Sequence, residues 1–233
     1  MASNDKKTVL ITGSNRGIGL AFATHYATQG WKVIAAVRDL ATAEDLKSLA
    51  LFMLVQIDTG DEASILNAAS ELQGVPVDLL LNNAGIGAAG GLQEATKESL
   101  MRQFEVNAVG PFLMTRAFLP NLKLAAAARG NAVVAQISSR MGCIDDNMSG
   151  GLYGYRASKT AVNMINASLA VDLKDDKITA VALHPGYVVT RITNFTGGQQ
   201  PAESVAGLTK VIEALKPEDT GKFFDYDGAL MPW

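Results

Sequence analysis

The stretch Thr8-Val9-Leu10-Ile11-Thr12-Gly13-Ser14-Asn15-Arg16-Gly17-Ile18-Gly19 decides the fold of this chain. Its first five residues are β-branched or apolar and read as a buried strand. Residues 17–29 then carry a helical pattern. Glycines between a strand and a helix permit a tight turn. They also let backbone N–H groups approach a phosphate at the positive end of the helix. The spacing is G-x-x-x-G-x-G rather than G-x-G-x-x-G, so the motif gains its meaning from the strand–turn–helix around it. The residues expected to cradle a pyrophosphate are Gly13, Ser14, Asn15, Arg16, Gly17, Ile18 and Gly19.

The same alternation continues along the chain. Strand patterns occupy residues 8–12, 32–37, 51–58, 77–82, 131–138, 177–184 and 222–226. Helical patterns fill residues 17–29, 42–50, 61–73, 98–128, 153–173 and 201–215. Nearly unbroken apolar strands such as Val77-Asp78-Leu79-Leu80-Leu81, separated by helices, imply parallel strands buried on both faces. With right-handed crossovers, the expected architecture is an α/β fold. It is a doubly wound, seven-stranded parallel sheet with helices on both faces, a Rossmann fold in one domain spanning residues 1–233. Such a sheet binds ligands outside the carboxyl ends of its strands. Residues 13–19, 82–85, 138–139 and 185–186 all fall there.

Bulk properties narrow the classes. The 233 residues carry a formal net charge of −3, without a basic block that would recruit nucleic acid or an anionic membrane. No apolar run has the length of a bilayer span. Met1-Ala2-Ser3-Asn4-Asp5-Lys6-Lys7 lacks the apolar core of a signal peptide, so a cytoplasmic location is expected. Cys143 is the sole cysteine and His25 and His184 the two histidines, too few for a cysteine zinc site or a ligand cluster; no metal is expected. Neither a G-x-S-x-G nucleophile elbow nor the spacing of a P-loop occurs.

After the second strand come Arg38 and Asp39, where a dinucleotide's ribose is read. An acid there binds the 2′-hydroxyl of NAD, and an arginine accommodates the 2′-phosphate of NADP. Arg38 comes first, and Arg16 lies within the glycine turn. Two guanidiniums converging on one phosphate favour NADP(H), with NAD(H) as the alternative. Asp58 ends the third strand and either faces the adenine or caps the next helix.

Tyr155 and Lys159 stand four residues apart at the start of a helical stretch, so they share a helix face. None of the other four tyrosines has a lysine at that helical spacing: Ala157 follows Tyr153, Gly30 follows Tyr26, Leu230 follows Tyr226, and Arg191 follows Tyr187 in a loop. An adjacent ammonium should lower the phenol's pKa from its usual value of about 10. A phenol so tuned exchanges a proton with an alcohol or carbonyl.

Together, Thr12–Gly19, Asn82-Asn83-Ala84-Gly85, Asn107, Ser139, Tyr155-x-x-x-Lys159 and Pro185-Gly186 resemble the short-chain dehydrogenase/reductase family, in order and spacing. Within it, Cys143-Ile144-Asp145-Asp146-Asn147 and the ending Phe223-Phe224-Asp225-Tyr226-Asp227-Gly228, with Pro232-Trp233, look like the C-factor and sniffer-type carbonyl reductases. The resemblance implies a catalytic tetrad of Asn107, Ser139, Tyr155 and Lys159, with Tyr155 as acid/base. Ser139 rather than Ser138 would hold the carbonyl oxygen, and Lys159 would tune Tyr155 and bind the nicotinamide ribose. Asn83, Ala84 and Gly85 would line the adenosine-ribose side, and Pro185, Gly186, Val188 and Thr190 the nicotinamide. The reaction implied is NADPH-dependent interconversion of a small carbonyl compound and an alcohol. The rival reading is a C-factor-like signalling protein that binds NAD(P) and acts through a partner.

Pro111 bears on one of these transfers. It has no N–H to give the carbonyl four residues back, that of Asn107, which is left free to hold water and so suits the proton relay that the resemblance implies. Residues 142–151 are expected to wall the substrate pocket, and residues 191–200 form a lid short enough to leave it open. Cys143 reads as a buried, inert thiol. The resemblance also implies a homodimer or homotetramer joined through the two long helices, for which Leu113, Leu169 and Val171 offer apolar surface unless they pack on the sheet.

Overall fold

The computed structural model describes residues 6–88 and 90–233. The start of the chain read above for signal character, Met1 to Asp5, lies outside the described residues. Seven strands form one sheet: β1 (Thr8–Thr12), β2 (Lys32–Val37), β3 (Met53–Gln56), β4 (Leu79–Asn82), β5 (Ala132–Ile137), β6 (Ile178–His184) and β7 (Phe223–Asp225). Their order is β3-β2-β1-β4-β5-β6-β7, every pair parallel. Strand order reverses between β1 and β4, which opens a crevice outside their carboxyl ends.

Seven helices accompany the strands among the described residues: α1 (Gly17–Thr28), α2 (Glu62–Glu71), α3 (Lys97–Phe104), α4 (Gly110–Ala117), α5 (Leu119–Arg129), α6 (Tyr153–Asp172) and α7 (Pro201–Ala214). Alternate strand residues point to opposite faces. Leu10, Ile34, Leu80 and Val134 therefore pack with Ile65 of α2, Met114 of α4, Leu122 of α5 and Leu169 of α6. Val9, Ile11, Val33 and Leu81 pack on the other face with Phe22 and Tyr26 of α1 and Leu208 of α7. Burial on both faces explains why the strands read as continuous apolar runs.

Two expected helices differ from the structure. Residues 42–50 form no α-helix but two 3₁₀ turns, Leu40–Thr42 and Glu44–Ser48. Asp39 starts the first by accepting from the Ala41 N–H at 2.9 Å. Ala43 and Leu46 anchor the segment in the core, and two anchors do not make the apolar stripe that a helix of several turns needs. Residues 98–128 are not one helix. A π turn, Glu105–Val109, separates α3 from α4, with the Gly110 N–H donating to the Glu105 carbonyl five residues back. Pro111 follows immediately, and Pro120 accompanies the second break, at Phe118; each proline removes an interior donor.

The apolar residues suggested for an interface divide. Leu169 is buried in the core and Leu113 packs against it, so both serve the sheet. Val171 is 76% exposed, and Met101, Phe104, Phe112 and Met164 of α3, α4 and α6 are exposed as well. No helix among the described residues is long and apolar enough to cross a membrane.

Candidate active site

The glycine turn after β1 is a tight fit. Gly13 and Gly17 sit at φ 68° and 55°, in the left-handed region that favours glycine. A Cβ on Gly19 would stand 2.1 Å from the Gly13 carbonyl oxygen, so position 19 admits no side chain. The turn is clamped from β4. The Thr12 hydroxyl accepts from the N–H groups of Asn83 and Ala84, each at 3.0 Å. Asn83 in turn donates its side-chain amide to the carbonyls of Thr12 at 2.9 Å and Gly13 at 3.3 Å. Asn83 thus shapes the turn with its side chain. Ser14 is fully buried and donates to the Ile11 carbonyl at 2.6 Å, and Asn15 donates to the Thr42 hydroxyl at 2.8 Å. Ile18 is half-buried against the α1–α7 side of the core.

The front of the turn suits an anion. Helix α1 has Arg16 at its N-cap, no side-chain capping bond and no acid in its first turn. Its N–H groups and positive end are therefore not neutralised from within the helix. Arg16 and Arg38 are both exposed. Burial lowers the Arg16 pKa, and the charges of Arg191 and then Arg38 lower it further. These residues fit a dinucleotide diphosphate: a glycine cradle, an uncapped helix end and clustered guanidiniums. Asp58 does not cap α2; Asp61 does, accepting from the Ala63 N–H at 3.0 Å. Asp58 instead accepts from the Gly60 N–H at 2.9 Å and stays partly exposed beside the crevice.

Across the crevice, the end of β5 and the start of α6 bring together the residues expected to react. Successive serines face opposite ways. Ser138 is buried and donates to the Asn163 side chain of α6 at 2.5 Å. Ser139 accepts from the Met141 N–H at 3.1 Å, and its hydroxyl lies close enough to Tyr155 to lower the phenol's pKa. Lys159 is 4% exposed; its ammonium lies 5.7 Å from the Tyr155 ring centre and donates to the Ile137 carbonyl at 2.7 Å. Asn107, held in the π turn, accepts from the Ile86 N–H at 2.9 Å, and its amide donates to the Ile86 carbonyl at 2.8 Å and the Ser158 hydroxyl at 3.0 Å. It latches the loop after β4 to α6. Gly85 is in the same cluster, since a Cβ there would lie 3.3 Å from Asn107 Oδ1 and 3.8 Å from Lys159 Nζ.

The electrostatics depart from expectation. Burial raises the Tyr155 pKa, against the lowering effect of the Ser139 hydrogen bond. The expected depression by Lys159 is not the outcome. The ammonium is turned toward the Ile137 carbonyl, and burial of the phenol prevails. Burial also brings the Lys159 pKa down to about 8.

The segment after β6 completes the crevice. The Pro185 carbonyl accepts from Gln199 Nε2 and from the Ser204 hydroxyl, each at 2.6 Å. Gly186 has φ 82°, Val188 is buried, and the Thr190 N–H donates to the Thr193 hydroxyl at 3.0 Å. The short loop after Thr190 does reach the site: a Cβ on Gly87 would meet Ile192 Cγ2 at 3.2 Å and Tyr155 Cδ2 at 3.6 Å. On the far side, residues 142–151 are pinned to α6 by Arg156, which donates to the Ser149 hydroxyl at 2.8 Å, and to the chain end, where the Ile144 N–H donates to the Trp233 carbonyl at 3.3 Å. Cys143 is buried, contacts the Pro232 carbonyl at 3.0 Å, and has its pKa raised, chiefly by burial; it is an inert thiol.

Sequence reading passed over Thr12 as a clamp, Ser158 as the partner of Asn107, and Gln199 and Ser204 as supports of Pro185. It also missed Arg191 as a third guanidinium. Their partners lie far along the chain, and no local pattern marks them.

With this geometry in view, the family model described as short chain dehydrogenase matches residues 7–200. The chain belongs to the short-chain dehydrogenase family. It is an oxidoreductase of that family, similar to the C-signal of Myxococcus xanthus, with 42% identity over 68% of this chain and 93% of the relative. An NADPH-bound carbonyl reductase from chicken fatty liver superposes with a TM-score of 0.91 at 35% identity, covering 98% of this chain and 99% of that one. The carbonyl reductase Sniffer of D. melanogaster gives 0.91 at 29% identity, covering 98% and 100%.

Proposed function

We propose that this short-chain dehydrogenase reduces a small carbonyl compound to an alcohol with NADPH, by a reversible reaction. The observation that carries the reading is the convergence of Ser139 and Tyr155 beside Lys159, across the crevice from the glycine turn. The glycine turn and the segment after β6, with Pro185, Gly186, Val188 and Thr190, hold the dinucleotide, with Arg16 and Arg38 on its 2′-phosphate. When bound, the dinucleotide supplies the hydride. Ser139 donates a hydrogen bond to the substrate oxygen and orients the carbonyl. Tyr155 gives that oxygen its proton as negative charge grows there, and both hydroxyls stabilise the charge. The raised Tyr155 pKa keeps the phenol protonated at neutral pH, which suits reduction. Lys159 binds the nicotinamide ribose and returns the proton to Tyr155 from water held at the Asn107 carbonyl, which Pro111 leaves without a donor four residues on. Likeness to NADPH-bound carbonyl reductase supports the choice of cofactor and substrate class.

The protein works in the cytoplasm as a homodimer or homotetramer. The exposed apolar side chains of α3, α4 and α6 support that assembly. A second reading, signalling through a partner, is supported by the likeness to C-signal. The deciding experiment follows NADPH oxidation with aldehydes, ketones and quinones, for the protein and for Tyr155→Phe. The enzyme reading requires turnover that falls by about a hundredfold or more in the variant while NADPH still binds. Undiminished turnover in the variant would rule Tyr155 out.

A further inference from the structure

The loop after β6 presents consecutive residues to two parts of the crevice. Ile192 lies on the reacting side: its Cγ2 and the Tyr155 ring stand 3.2 and 3.6 Å from the Cβ position of Gly87. Thr190 lies on the side of the phosphate turn, its methyl 3.5 Å from the Cβ position of Gly17. Arg191 stands between them and is exposed. Its charge bears on Arg16 more strongly than that of Arg38 does. Among the described residues, Arg16, Arg38 and Arg191 have no carboxylate within ion-pair distance. Three guanidiniums held together repel, and an anion placed among them relieves the repulsion.

The chain itself makes Arg191 a fixed feature. The Thr193 hydroxyl donates to the carbonyls of Val188 at 2.7 Å and Thr190 at 3.0 Å, and the Phe195 N–H donates to the Thr190 carbonyl at 2.7 Å. These bonds tie the loop's start to its own next turn. Whatever holds Arg191 therefore also holds Ile192, one peptide bond away.

We infer that Arg191 binds the diphosphate of the dinucleotide from the loop side, and that this contact holds Ile192 over the substrate position beside Tyr155. The inference rests on the dinucleotide-binding reading above and adds a residue to it. Arg38 stands at the end of β2, where a 2′-phosphate is read. Arg191 follows Thr190, whose methyl stands beside Gly17 of the glycine turn, where the diphosphate common to NADPH and NADH would lie. It therefore contributes affinity without selectivity. Cofactor binding and shaping of the substrate pocket become one event.

The test is calorimetric titration of the whole protein with NADPH and with NADH, for the wild type, Arg191→Ala, Arg191→Lys and Arg38→Ala. Arg191→Ala should raise both dissociation constants alike, by about tenfold, as expected for one lost charge-assisted contact. Arg191→Lys should recover part of the loss, and Arg38→Ala should weaken NADPH alone. Hydrogen exchange supplies the second readout: NADPH should slow the amides of residues 192–198 in the wild type and leave them fast in Arg191→Ala. Unchanged dissociation constants for both nucleotides in Arg191→Ala would overturn the inference. So would a loss confined to NADPH, or amides still slowed in that variant. Failure of the wild type to bind either nucleotide would instead sink the dinucleotide reading itself.

Discussion

The Lys159 ammonium donates a hydrogen bond to the Ile137 main-chain carbonyl at 2.7 Å, which fastens α6 to the end of β5 just before Ser139. That bond is made by a cation buried to 4% exposure, and burial lowers its pKa from 10.5 to about 8.

Lys159→Met should therefore stabilise the fold at pH 7 while abolishing turnover. A lysine depressed on folding binds fewer protons folded than unfolded between pH 8 and 10.5, so wild-type stability rises with pH through that window. At pH 7 the buried charge costs about 3 kcal/mol relative to the neutral form, at 1.36 kcal/mol per pKa unit, partly offset by the Ile137 bond. Urea midpoints at pH 7 and pH 10 should show the variant ahead at the lower pH and the gap narrowing at the higher. An equal gap at both would contradict a depressed lysine.

Ser138 and Ser139 should separate stability from chemistry. Ser138→Ala leaves the buried Asn163 oxygen without its donor, at a cost of about 1–3 kcal/mol in unfolding experiments, and activity per folded molecule should survive. Ser139→Ala should lower kcat by about a hundredfold with an unaltered urea midpoint. The converse pattern would assign the wrong serine to the crevice.

Arg16→Ala combined with Arg38→Ala should weaken NADPH by one to two orders of magnitude and NADH far less, since only the former carries a 2′-phosphate. Equal losses in direct binding measurements would remove both guanidiniums from that phosphate.

His184 gives an acid-side prediction. Its Nδ1 accepts from the Arg140 N–H at 3.2 Å, and its pKa falls from 6.5 to about 4. Burial is the main cause, with Asp225 acting in the opposite sense and Arg140 in the same. A group that binds protons more readily unfolded destabilises the fold as pH drops from 6.5 toward 4. About 2 kcal/mol should be lost between pH 6.5 and 5, and His184→Asn should flatten that loss. A variant losing as much as the wild type over that interval would refute it.

Much of the architecture was legible because parallel strands buried on both faces leave long apolar runs, and turns leave glycine and proline. Thr8–Thr12 and Lys32–Val37 could be bounded to the residue. Residues 40–48 and the breaks at Glu105–Val109 and Phe118 were not, because short-range patterns do not report how few anchors bury or where a π turn widens a helix. At the site, the spacing of Tyr155 and Lys159 told which groups would meet, but not where the ammonium would point. The direction of the Tyr155 shift depends on how deeply the hydroxyl is enclosed, a property of the finished packing rather than of neighbouring residues.

The contact between Gly19 and the Gly13 carbonyl has a practical side. The bend proposed to admit either nucleotide is locked by backbone against backbone, with Thr12 and Asn83 bracing it, so it offers no foothold for redesign. Anyone wishing to convert this catalyst to the less costly, unphosphorylated coenzyme must leave the bend alone and recut the cationic rim around it.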